Sequence, residues 1–351
     1  MRIVVTGASG NVGTAVVRAL SADERVDAIT GLARREPEWD VPKLRWVTAD
    51  LGEDDPDALD AVLAGADAVI HLAWLFQPAR QPLVTWETNV LGSIRVFDAV
   101  VRNGVPSLVY ASSVGAYSPG PKDRQVDETW PTHGWPEAAY TREKAYLERA
   151  LDAFETRHPD VRVVRMRPAF LFQYASASEQ RRLFAGPLLP NKLVRPELVP
   201  VVPDLPGLRV QALHTDDAAD AYRLAALGDA RGAFNLAADP VVDAGLLAEL
   251  LDARVVRMPA WPVRAAVVAA WRLRLAPAAP ELFDAVLRLP LMDTSRARTE
   301  LGWTPRHDAA EVMAEFLAGL REGAGLPTPP LTSEIPGGRA AELAKGAGSK
   351  P

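Results

Sequence analysis

The 351-residue sequence contains no cysteine. Disulfide bonds, thiolate nucleophiles and cysteine-ligated metals are therefore excluded for this chain, and a reducing compartment is compatible with it. Histidine is also rare, with five residues scattered without the spacing of metal ligands. The sequence therefore predicts no metal site.

Long hydrophobic runs and an excess of positive charge are absent as well. The most apolar late stretch, residues 265–271, lies between Arg264 and Arg272 and is far shorter than the roughly 20 apolar residues that span a bilayer. The opening MRIVVTGASG lacks the apolar core and cleavage site of a signal peptide. With a formal net charge of −6, we expect neither a nucleic-acid nor a membrane partner, and a cytoplasmic location.

Short apolar runs alternate with longer helix-like segments through the first half of the sequence. The runs that suit strands buried on both faces of a parallel sheet are 3–6, 28–32, 44–47, 68–72, 108–111 and 161–166. The helix-like segments are 12–20, 56–64, 88–103 and 137–157. This alternation predicts an α/β fold with a doubly wound parallel sheet of the Rossmann type.

A glycine-rich segment, TGASGNVG at residues 6–13, directly follows the first predicted strand. Its glycines permit a tight turn, close approach of the backbone to phosphate, and close packing of the next helix. That helix offers unpaired N–H groups to a pyrophosphate. Because the segment follows a strand and opens a helix, it predicts a dinucleotide site. The residues of this predicted site are Gly7, Ser9, Gly10, Asn11, Val12 and Gly13.

The end of the second strand bears on the choice of dinucleotide. NAD-preferring sheets place a carboxylate there, against the ribose 2′-hydroxyl, whereas this sequence has Arg34 and Arg35. Arginine suits a 2′-phosphate, so NADP is favoured and NAD stays possible. The alternative is that both arginines are solvated surface residues. Asp50 and Leu51 close the third strand, where they are placed to meet the adenine.

The composition of the sequence changes after Pro168. Residues 171–210 are rich in proline and apolar residues, and 259–290 hold two amphipathic segments separated by Pro277 and Pro280. We predict an NAD(P)-binding domain over 1–170, to which 211–238 return, and a smaller C-terminal substrate-binding lobe from 171–210 and 239–326. Residues 327–351, rich in Pro, Gly, Ser and Lys, are predicted to form a disordered tail.

Tyr140 and Lys144 lie four residues apart, on one face of a predicted helix. A free phenol has a pKa of about 10, too high for efficient proton transfer at neutral pH, and a neighbouring ammonium lowers it. Ser112 and Ser113 end the fifth strand, at the edge where open α/β sheets bind their ligands. The pattern therefore predicts a proton-transfer site of Tyr140, Lys144 and Ser113.

The sequence resembles the extended short-chain dehydrogenase/reductases, the NAD-dependent epimerase/dehydratase family, over about residues 1–320. The matching segments occur in family order. They are TGASGNVG (6–13), DL (50–51), HLAW (71–74), TNVLGS (88–93), YASSVGAY (110–117), YTREK (140–144), RPAFLF (167–172), HTDDAADA (214–221), FNLA (234–237) and DTSRARTELGWTP (293–305).

The resemblance implies roles for the residues at matching positions. Tyr140 would exchange a proton with the substrate oxygen. Lys144 would bind the nicotinamide ribose and lower the pKa of Tyr140. Ser113 would hydrogen-bond the substrate oxygen, which leaves Ser112 a structural role.

Further matching positions surround this group. Asn89 resembles the asparagine that helps to hold the active-site geometry, with a purely structural helix asparagine as the alternative. Leu72 and Ala73 would line the cofactor through their backbone, and His71 is expected to be a packed histidine.

Two departures from the family patterns bear on the substrate. Sugar 4,6-dehydratases carry an acidic pair where this sequence has Val114 and Gly115, which argues against dehydration. The arginine motifs with which epimerases clamp a diphosphate are not intact, although Arg209 and Arg288 are candidates to replace them. The segments expected to face the substrate are rich in aromatic residues, which favours an apolar compound. These residues are Trp74, Phe76, Trp86, Trp135, Phe170, Phe172 and Tyr174, about half of which we expect to be structural.

Three functions therefore stay open. The favoured one is an NAD(P)(H)-dependent oxidoreductase acting on a carbonyl or secondary alcohol of an apolar small molecule. The alternatives are a nucleotide-sugar epimerase that retains its NAD and a non-catalytic dinucleotide-binding sensor. A homodimer is also possible, through a helix bundle built from Leu91, Ile94, Phe97, Val101, Leu147, Leu151 and Phe154.

Overall fold

The computed structural model describes residues 1–186 and 199–333. Its strands are β1 (Arg2–Thr6), β2 (Ala28–Ala33), β3 (Leu44–Thr48), β4 (Ala68–His71), β5 (Ser107–Ala111), β6 (Gln125–Val126), β7 (Arg162–Pro168), β8 (Phe170–Phe172), β9 (Val201–Asp204), β10 (Ala212–His214), β11 (Gly232–Leu236), β12 (Arg254–Arg257) and β13 (Leu291–Met292).

Helices connect and cover these strands. They are α1 (Asn11–Ala22), α2 (Pro56–Leu63), α3 (Pro82–Trp86), α4 (Gly92–Arg102), α5 (Ala139–Arg157), α6 (Ala177–Gln180), α7 (Thr215–Leu227), α8 (Ala244–Leu251), α9 (Ala260–Arg272), α10 (Pro280–Val286), α11 (Ser295–Glu300) and α12 (Ala309–Glu322).

Seven strands form the central sheet, in the order β11-β7-β5-β4-β1-β2-β3. Every neighbouring pair in this sheet is parallel. Thr6 lies opposite Leu32 on one side and opposite His71 on the other, so the carboxyl ends of β1, β2 and β4 meet at one edge. The strand order reverses beside β1, and the predicted Rossmann-type α/β fold is confirmed.

The two faces of the sheet bury two separate cores. Ile3 and Val5 point into a core shared with α1 and α7, whereas Val4 points into a core shared with α2, α4 and α5. Successive side chains of a strand alternate between faces, so an apolar run such as residues 3–5 is buried on both sides. Burial of these strands therefore explains why they read as continuous apolar segments.

The predicted helix at 88–103 is interrupted in the structure. A π-helical turn over Glu87–Leu91 separates α3 from α4. This turn carries Asn89, whose side chain is buried. Such turns are frequent at functional sites, and the sequence pattern alone does not reveal this one.

Three short parallel strand pairs, β8 with β10, β9 with β12 and β6 with β13, lie outside the central sheet. Within the segment 211–238, β11 joins the central sheet and α7 packs on it. Residues 295–303, assigned from sequence to the smaller lobe, also join the main body. Trp303 is completely buried in the core with α1 and α7, and its indole N–H donates to the Asp217 carbonyl at 2.8 Å.

The predicted tail is ordered at its beginning. Leu331 is completely buried, and Arg182 donates to the carbonyls of Pro330 and Thr332, both at 2.7 Å. The structure therefore differs from the prediction over 327–333, because an apolar anchor and two arginine hydrogen bonds tie this segment down. The rest of that prediction, residues 334–351, lies outside the described residues. Within 1–186 and 199–333, no helix combines the length and the apolar character that crossing a bilayer requires.

Candidate active site

The glycine-rich turn after β1 is shaped by close backbone contacts. Gly7 has φ +70°, and a Cβ there would lie 2.7 Å from the Ala73 backbone. A Cβ on Gly13 would lie 2.2 Å from the Gly7 carbonyl oxygen. A Cβ on Gly10 would meet nothing closer than 3.5 Å. Gly7 and Gly13 are therefore required by packing, whereas the space at Gly10 is open and suits a phosphate that approaches the backbone.

The backbone N–H groups in the first turn of α1 have no side-chain hydrogen-bond acceptor from the cap residue. Gly10 is the N-cap and supplies no side-chain hydrogen bond, and the first turn carries no acidic residue. These amide groups and the positive end of the helix dipole suit a pyrophosphate. The Asn11 side chain is committed elsewhere, since its carbonyl oxygen accepts from Gln173 at 2.7 Å and Thr215 at 3.2 Å. The candidate contribution of Asn11 to a dinucleotide is thus its backbone.

Arg34 and Arg35 follow β2 at the same edge of the sheet. Arg34 is partly buried, and this burial lowers the pKa of its guanidinium while the Asp50 carboxylate opposes the shift. Arg35 is exposed. Asp50 accepts a hydrogen bond from the Gly52 N–H at 3.0 Å, and Leu51 is buried in the core. Arg34 and Asp50 therefore lie together near the predicted ribose and adenine positions.

The end of β4 packs against the glycine-rich turn. The N–H of Leu72 donates to the Thr6 carbonyl at 3.2 Å, and that of Ala73 donates to the Thr6 hydroxyl at 3.3 Å. His71 is completely enclosed, with its two ring nitrogens 2.6 Å from the Thr6 hydroxyl and 2.9 Å from the Ser93 hydroxyl. Burial lowers the pKa of His71 to about 3. His71 is therefore a packed, neutral histidine, as predicted.

Ser113 and Tyr140 come together across the cleft beside β5. The Ser113 hydroxyl accepts a hydrogen bond from the Gly115 N–H at 2.9 Å, and it lowers the pKa of Tyr140. A Cβ on Gly115 would lie 2.7 Å from the Tyr140 ring. The glycine that replaces the dehydratase acidic pair therefore makes room for the phenol.

Lys144 is bonded to the backbone of β5 in this structure. Its amine donates to the Ala111 carbonyl at 2.6 Å and lies 3.5 Å from the centre of the Trp74 ring. Burial holds the pKa of Lys144 well below its ordinary value and raises the pKa of Tyr140 to about 12, with the Ser113 hydrogen bond opposing the latter. Burial is the largest cause of the raised pKa of Tyr140 in this structure, and the lowering of that pKa by Lys144 stays a prediction.

Glu143 is a buried carboxylate that our sequence analysis did not single out. It accepts hydrogen bonds of 2.7 Å from the Thr85 hydroxyl and from the Asn89 side-chain amide. Asn89 in turn pairs with both the N–H and the carbonyl of Leu75, at 2.7 and 2.9 Å. Asn89 thus holds the loop after β4, and the signal for Glu143 is its place inside the Tyr-x-x-x-Lys segment.

Ser112, the neighbour of Ser113, belongs to a buried ionic network. Its hydroxyl donates to Glu148 at 2.6 Å, and Glu148 pairs with Arg165 at 3.0 Å and Arg167 at 2.9 Å. The two guanidiniums hold the pKa of Glu148 at about 2 against its burial. This network fixes β5 and β7 to α5, which is the structural role expected of Ser112.

A cavity of about 310 Å³ lies against the Tyr140 ring. The Phe76 ring stacks on Tyr140 at 5.1 Å, and Phe184 meets Phe76 edge-on at 5.6 Å. Trp271 of α9 and Leu282 of α10 supply the opposite wall. The segment 259–290 therefore contributes part of the wall of this cavity.

Of the seven aromatic residues predicted to face the substrate, only Trp74 and Phe76 line this cavity. Each of the others has a packing partner instead. Trp86 packs on Tyr146, Trp135 on Arg288 and Phe172 on Phe316. Phe170 packs on a buried cluster that includes Val114, Tyr117 and Met292, and Tyr174 donates to Glu322.

The two arginines considered as substitutes for the epimerase diphosphate clamp both form hydrogen bonds to backbone carbonyls. Arg209 donates to the Lys122 carbonyl and Arg288 to the Asp284 carbonyl, both at 2.6 Å. The space beside Arg209 measures about 10 Å³, room for a single water molecule. Within the described residues there is no cluster of three or more His, Asp or Glu side chains that could hold a metal ion.

The sheet order and the glycine-rich turn define the class as Rossmann-type proteins of the extended short-chain dehydrogenase/reductase kind. The family model for the NAD dependent epimerase/dehydratase family matches residues 3–237, and the chain belongs to this family.

Relatives and solved structures agree with this assignment. An uncharacterized protein of Mycobacterium tuberculosis is 26% identical over 333 residues, covering 90% of this chain and 83% of that protein. An L-arabinose 1-dehydrogenase (NAD(P)(+)) of Haloferax volcanii is 35% identical over 112 residues, covering 32% of this chain and 41% of that protein. The Thermus thermophilus UDP-glucose 4-epimerase, solved in complex with NAD, has a TM-score of 0.67 at 19% identity, covering 92% of this chain and 99% of that one. A dTDP-glucose 4,6-dehydratase of Streptomyces venezuelae has a TM-score of 0.66 at 20% identity, covering 92% and 97%.

Proposed function

We propose that the protein is an NAD(P)(H)-dependent oxidoreductase that interconverts a carbonyl and a secondary alcohol on an apolar small molecule. The observation that carries this proposal is the cavity of about 310 Å³ beside Tyr140, which is large enough for a small ligand. Aromatic and aliphatic side chains supply much of its wall. A ligand in it would lie against the phenol that we propose as the proton donor or acceptor.

Three polar residues of the cavity wall, Gln77, Thr85 and Glu143, are hydrogen-bonded within the protein. The Gln77 amide donates to the carbonyls of Leu183 and Pro277 at 3.0 and 3.2 Å, and its oxygen accepts from the Ala79 N–H at 2.8 Å. Thr85 and Glu143 bond to each other. The aromatic and aliphatic side chains that make up much of the remaining wall favour an apolar substrate.

The residues at the carboxyl edge of the sheet fit a nicotinamide dinucleotide. Gly10 leaves open space, and the first turn of α1 offers uncapped N–H groups to the pyrophosphate. Bound there, the nicotinamide would supply or accept the hydride. In the proposed site Ser113 positions the substrate oxygen, Tyr140 transfers the proton to or from that oxygen, and Lys144 contacts the ribose. Asn89 acts through the loop that it holds.

NADP is the proposed preference and NAD the alternative. Arg34 is partly buried at the end of β2, where no carboxylate occupies the 2′-position. A planar guanidinium at that point suits a phosphate. The relative from Haloferax volcanii is named as an NAD(P)(+) enzyme, which is compatible with either dinucleotide.

We retain a homodimer as a proposal, although fewer of the suggested interface residues are accessible than the sequence analysis assumed. Of the seven residues suggested for a helix bundle, Phe97, Leu147, Leu151 and Phe154 are buried within their own chain. Leu91 is 38% exposed, and Ile94 and Val101 are partly buried. An interface on α4 would therefore be built around these three residues.

The test is to identify the nucleotide released by denaturing freshly purified protein and then to assay NADPH and NADH oxidation with a panel of apolar ketones and aldehydes. We expect protein without retained nucleotide that binds NADPH more tightly than NADH and consumes it with a member of the panel. Near-stoichiometric NAD in the purified protein would replace this proposal with the epimerase alternative. Tight dinucleotide binding with no turnover of any carbonyl would replace it with the sensor alternative.

A further inference from the structure

A run of the chain enriched in arginine and apolar residues lies on the surface beside the proposed active site. Residues 253–280 contain five arginines, two tryptophans and no aspartate or glutamate, in a protein whose net charge is −6. The net charge led us to expect no membrane partner, but charge is unevenly distributed, and we propose that the exposed part of this segment, residues 254–275, docks the protein onto the surface of an anionic lipid bilayer.

The helix α9 is largely apolar. Its only charged side chains are Arg264 and Arg272, and none of its residues is buried. Trp261 is 71% exposed, and Arg264, Ala265, Ala269 and Arg272 are exposed as well. The exposed side therefore combines a tryptophan and alanines with both arginines of the helix. This combination suits a helix that lies in a membrane interface.

The segments at both ends of α9 also expose apolar side chains. Leu273 is 68% exposed and Leu275 is 41% exposed, just after the helix. In β12, two residues before α9, Val255 and Val256 are 46% and 41% exposed. Since α9 spans about 20 Å, apolar side chains are presented at both ends of the helix and along it.

Arginines flank these apolar side chains. Arg264 is paired with Asp284 at 2.8 Å, and Arg257 lies 3.4 Å from Asp204 with 90% of its side chain exposed. Arg254, Arg272 and Arg274 are exposed and form no salt bridge within residues 1–186 and 199–333. These guanidiniums complement lipid phosphates, each with a favourable interaction near an anionic surface. Tryptophan prefers the same headgroup region, as Trp261 would here.

The inner side of the same helix forms the wall of the cavity. Trp271 lines it, and Arg80 stacks on the Trp271 ring at 3.6 Å and donates to the Trp271 carbonyl. α9 therefore has one side toward the cavity and the other outward. An apolar substrate dissolved in the bilayer would reach the cavity beside the docked helix. This delivery role rests on the proposed function, whereas docking itself does not.

The test is flotation of the full-length protein with two kinds of vesicle. One kind is phosphatidylcholine alone, and in the other about a third of the lipid is phosphatidylglycerol. We expect the protein to float with the anionic vesicles and not with the neutral ones, and binding to weaken as salt is raised. Equal flotation with both kinds, or with neither, would overturn the proposal.

Matched variants locate the contact. Arg254→Gln with Arg272→Gln should reduce partitioning about 25-fold, at about fivefold for each arginine, and Trp261→Ser should also reduce it. The control, Arg157→Gln with Arg298→Gln, removes the same charge from the last turns of α5 and α11 and should bind vesicles as the wild type does. Loss in the control equal to that in the test pair would overturn the assignment to this surface.

A second copy of the chain is the competing occupant. If Trp261→Ser dissociates an oligomer seen by light scattering and no protein floats with anionic vesicles, the surface is a protein interface and the lipid proposal fails. Dinucleotide affinity, measured on the same samples, reports on the proposed function separately, because flotation requires neither cofactor nor turnover.

Discussion

The Glu143 carboxylate accepts a hydrogen bond of 2.7 Å from the side-chain amide of Asn89. Asn89 lies on the π-helical turn, and Glu143 lies on α5 between Tyr140 and Lys144. Through Asn89, which also pairs with Leu75, this contact ties the loop after β4 to the helix that carries Tyr140. That loop presents Trp74 and Phe76 to the Tyr140 ring. The Glu143 carboxylate therefore helps to position this part of the cavity wall.

Replacing Glu143 with leucine should destabilise the protein by roughly 2–4 kcal/mol, because the Asn89 amide and the Thr85 hydroxyl would lose a buried acceptor. Glu143→Gln keeps one acceptor oxygen and should recover most of that loss. Urea unfolding at neutral pH measures both effects. Glu137→Leu, at an exposed residue on the rim of the same cavity, is the matched control. A stability of Glu143→Leu equal to that of the control would show that this contact is unimportant.

Gly10 and Gly13 should respond differently to alanine. A Cβ at Gly13 would lie 2.2 Å from the Gly7 carbonyl, so Gly13→Ala should destabilise the fold by about 1–3 kcal/mol. At Gly10 the nearest atom would be 3.5 Å away, so Gly10→Ala should fold normally yet bind dinucleotide about tenfold or more weakly. Thermal unfolding and fluorescence titration separate the two effects. Unchanged dinucleotide affinity in Gly10→Ala would place the phosphates elsewhere.

Arg34→Ala tests the choice of dinucleotide. If the Arg34 guanidinium holds the 2′-phosphate, NADPH affinity should fall about tenfold, or about 1.4 kcal/mol, while NADH affinity changes little. Arg45→Ala removes an exposed arginine from the neighbouring strand β3 and serves as the control. Equal losses for NADPH and NADH would assign Arg34 a structural role, and no loss for either would make it a surface residue.

His71 should make folding stability depend on pH. Its pKa is lowered from 6.5 to about 3 by burial, so between these values the unfolded chain binds the proton more readily. The stability contributed by neutral His71 is therefore full above pH 6.5 and is lost as the pH falls toward 3. Between pH 6.5 and pH 5 the loss is about 2 kcal/mol.

The pH slope, rather than the absolute stability, is the quantity to compare between variants. His71→Gln should remove this component of the slope, whereas His133→Gln, at an exposed histidine, should keep it. Urea unfolding at several pH values gives the slopes. The same slope in His71→Gln and the wild type would contradict a neutral, buried His71.

The fold followed from local sequence patterns more readily than the site did. Apolar runs such as residues 3–6 become strands because each is buried on both faces of the sheet, and the glycine-rich turn has the geometry that its spacing predicts. The π-helical turn and the burial of Trp303 depend on contacts with distant residues. Periodicity alone carries no signal for such contacts.

The site shows the same division. Ser113 and Tyr140 meet because one closely follows a central strand and the other lies in the first turn of a helix at the same edge of the sheet. The direction of Lys144, toward Ala111 and the Trp74 ring, is set by packing around a buried amine. Glu143 matters because it faces Thr85 and Asn89, residues more than 50 positions away in the sequence. Neither orientation could be inferred from spacing.

The most direct test of the central claim is the turnover of an apolar ketone with NADPH or NADH by the wild type and by Tyr140→Phe. The variant keeps the ring that packs against Phe76 and Trp74 and removes only the hydroxyl. We predict that dinucleotide affinity is retained while turnover falls on the order of 10²-fold or more. Equal turnover by the two proteins would contradict the assignment of Tyr140 and the function built on it.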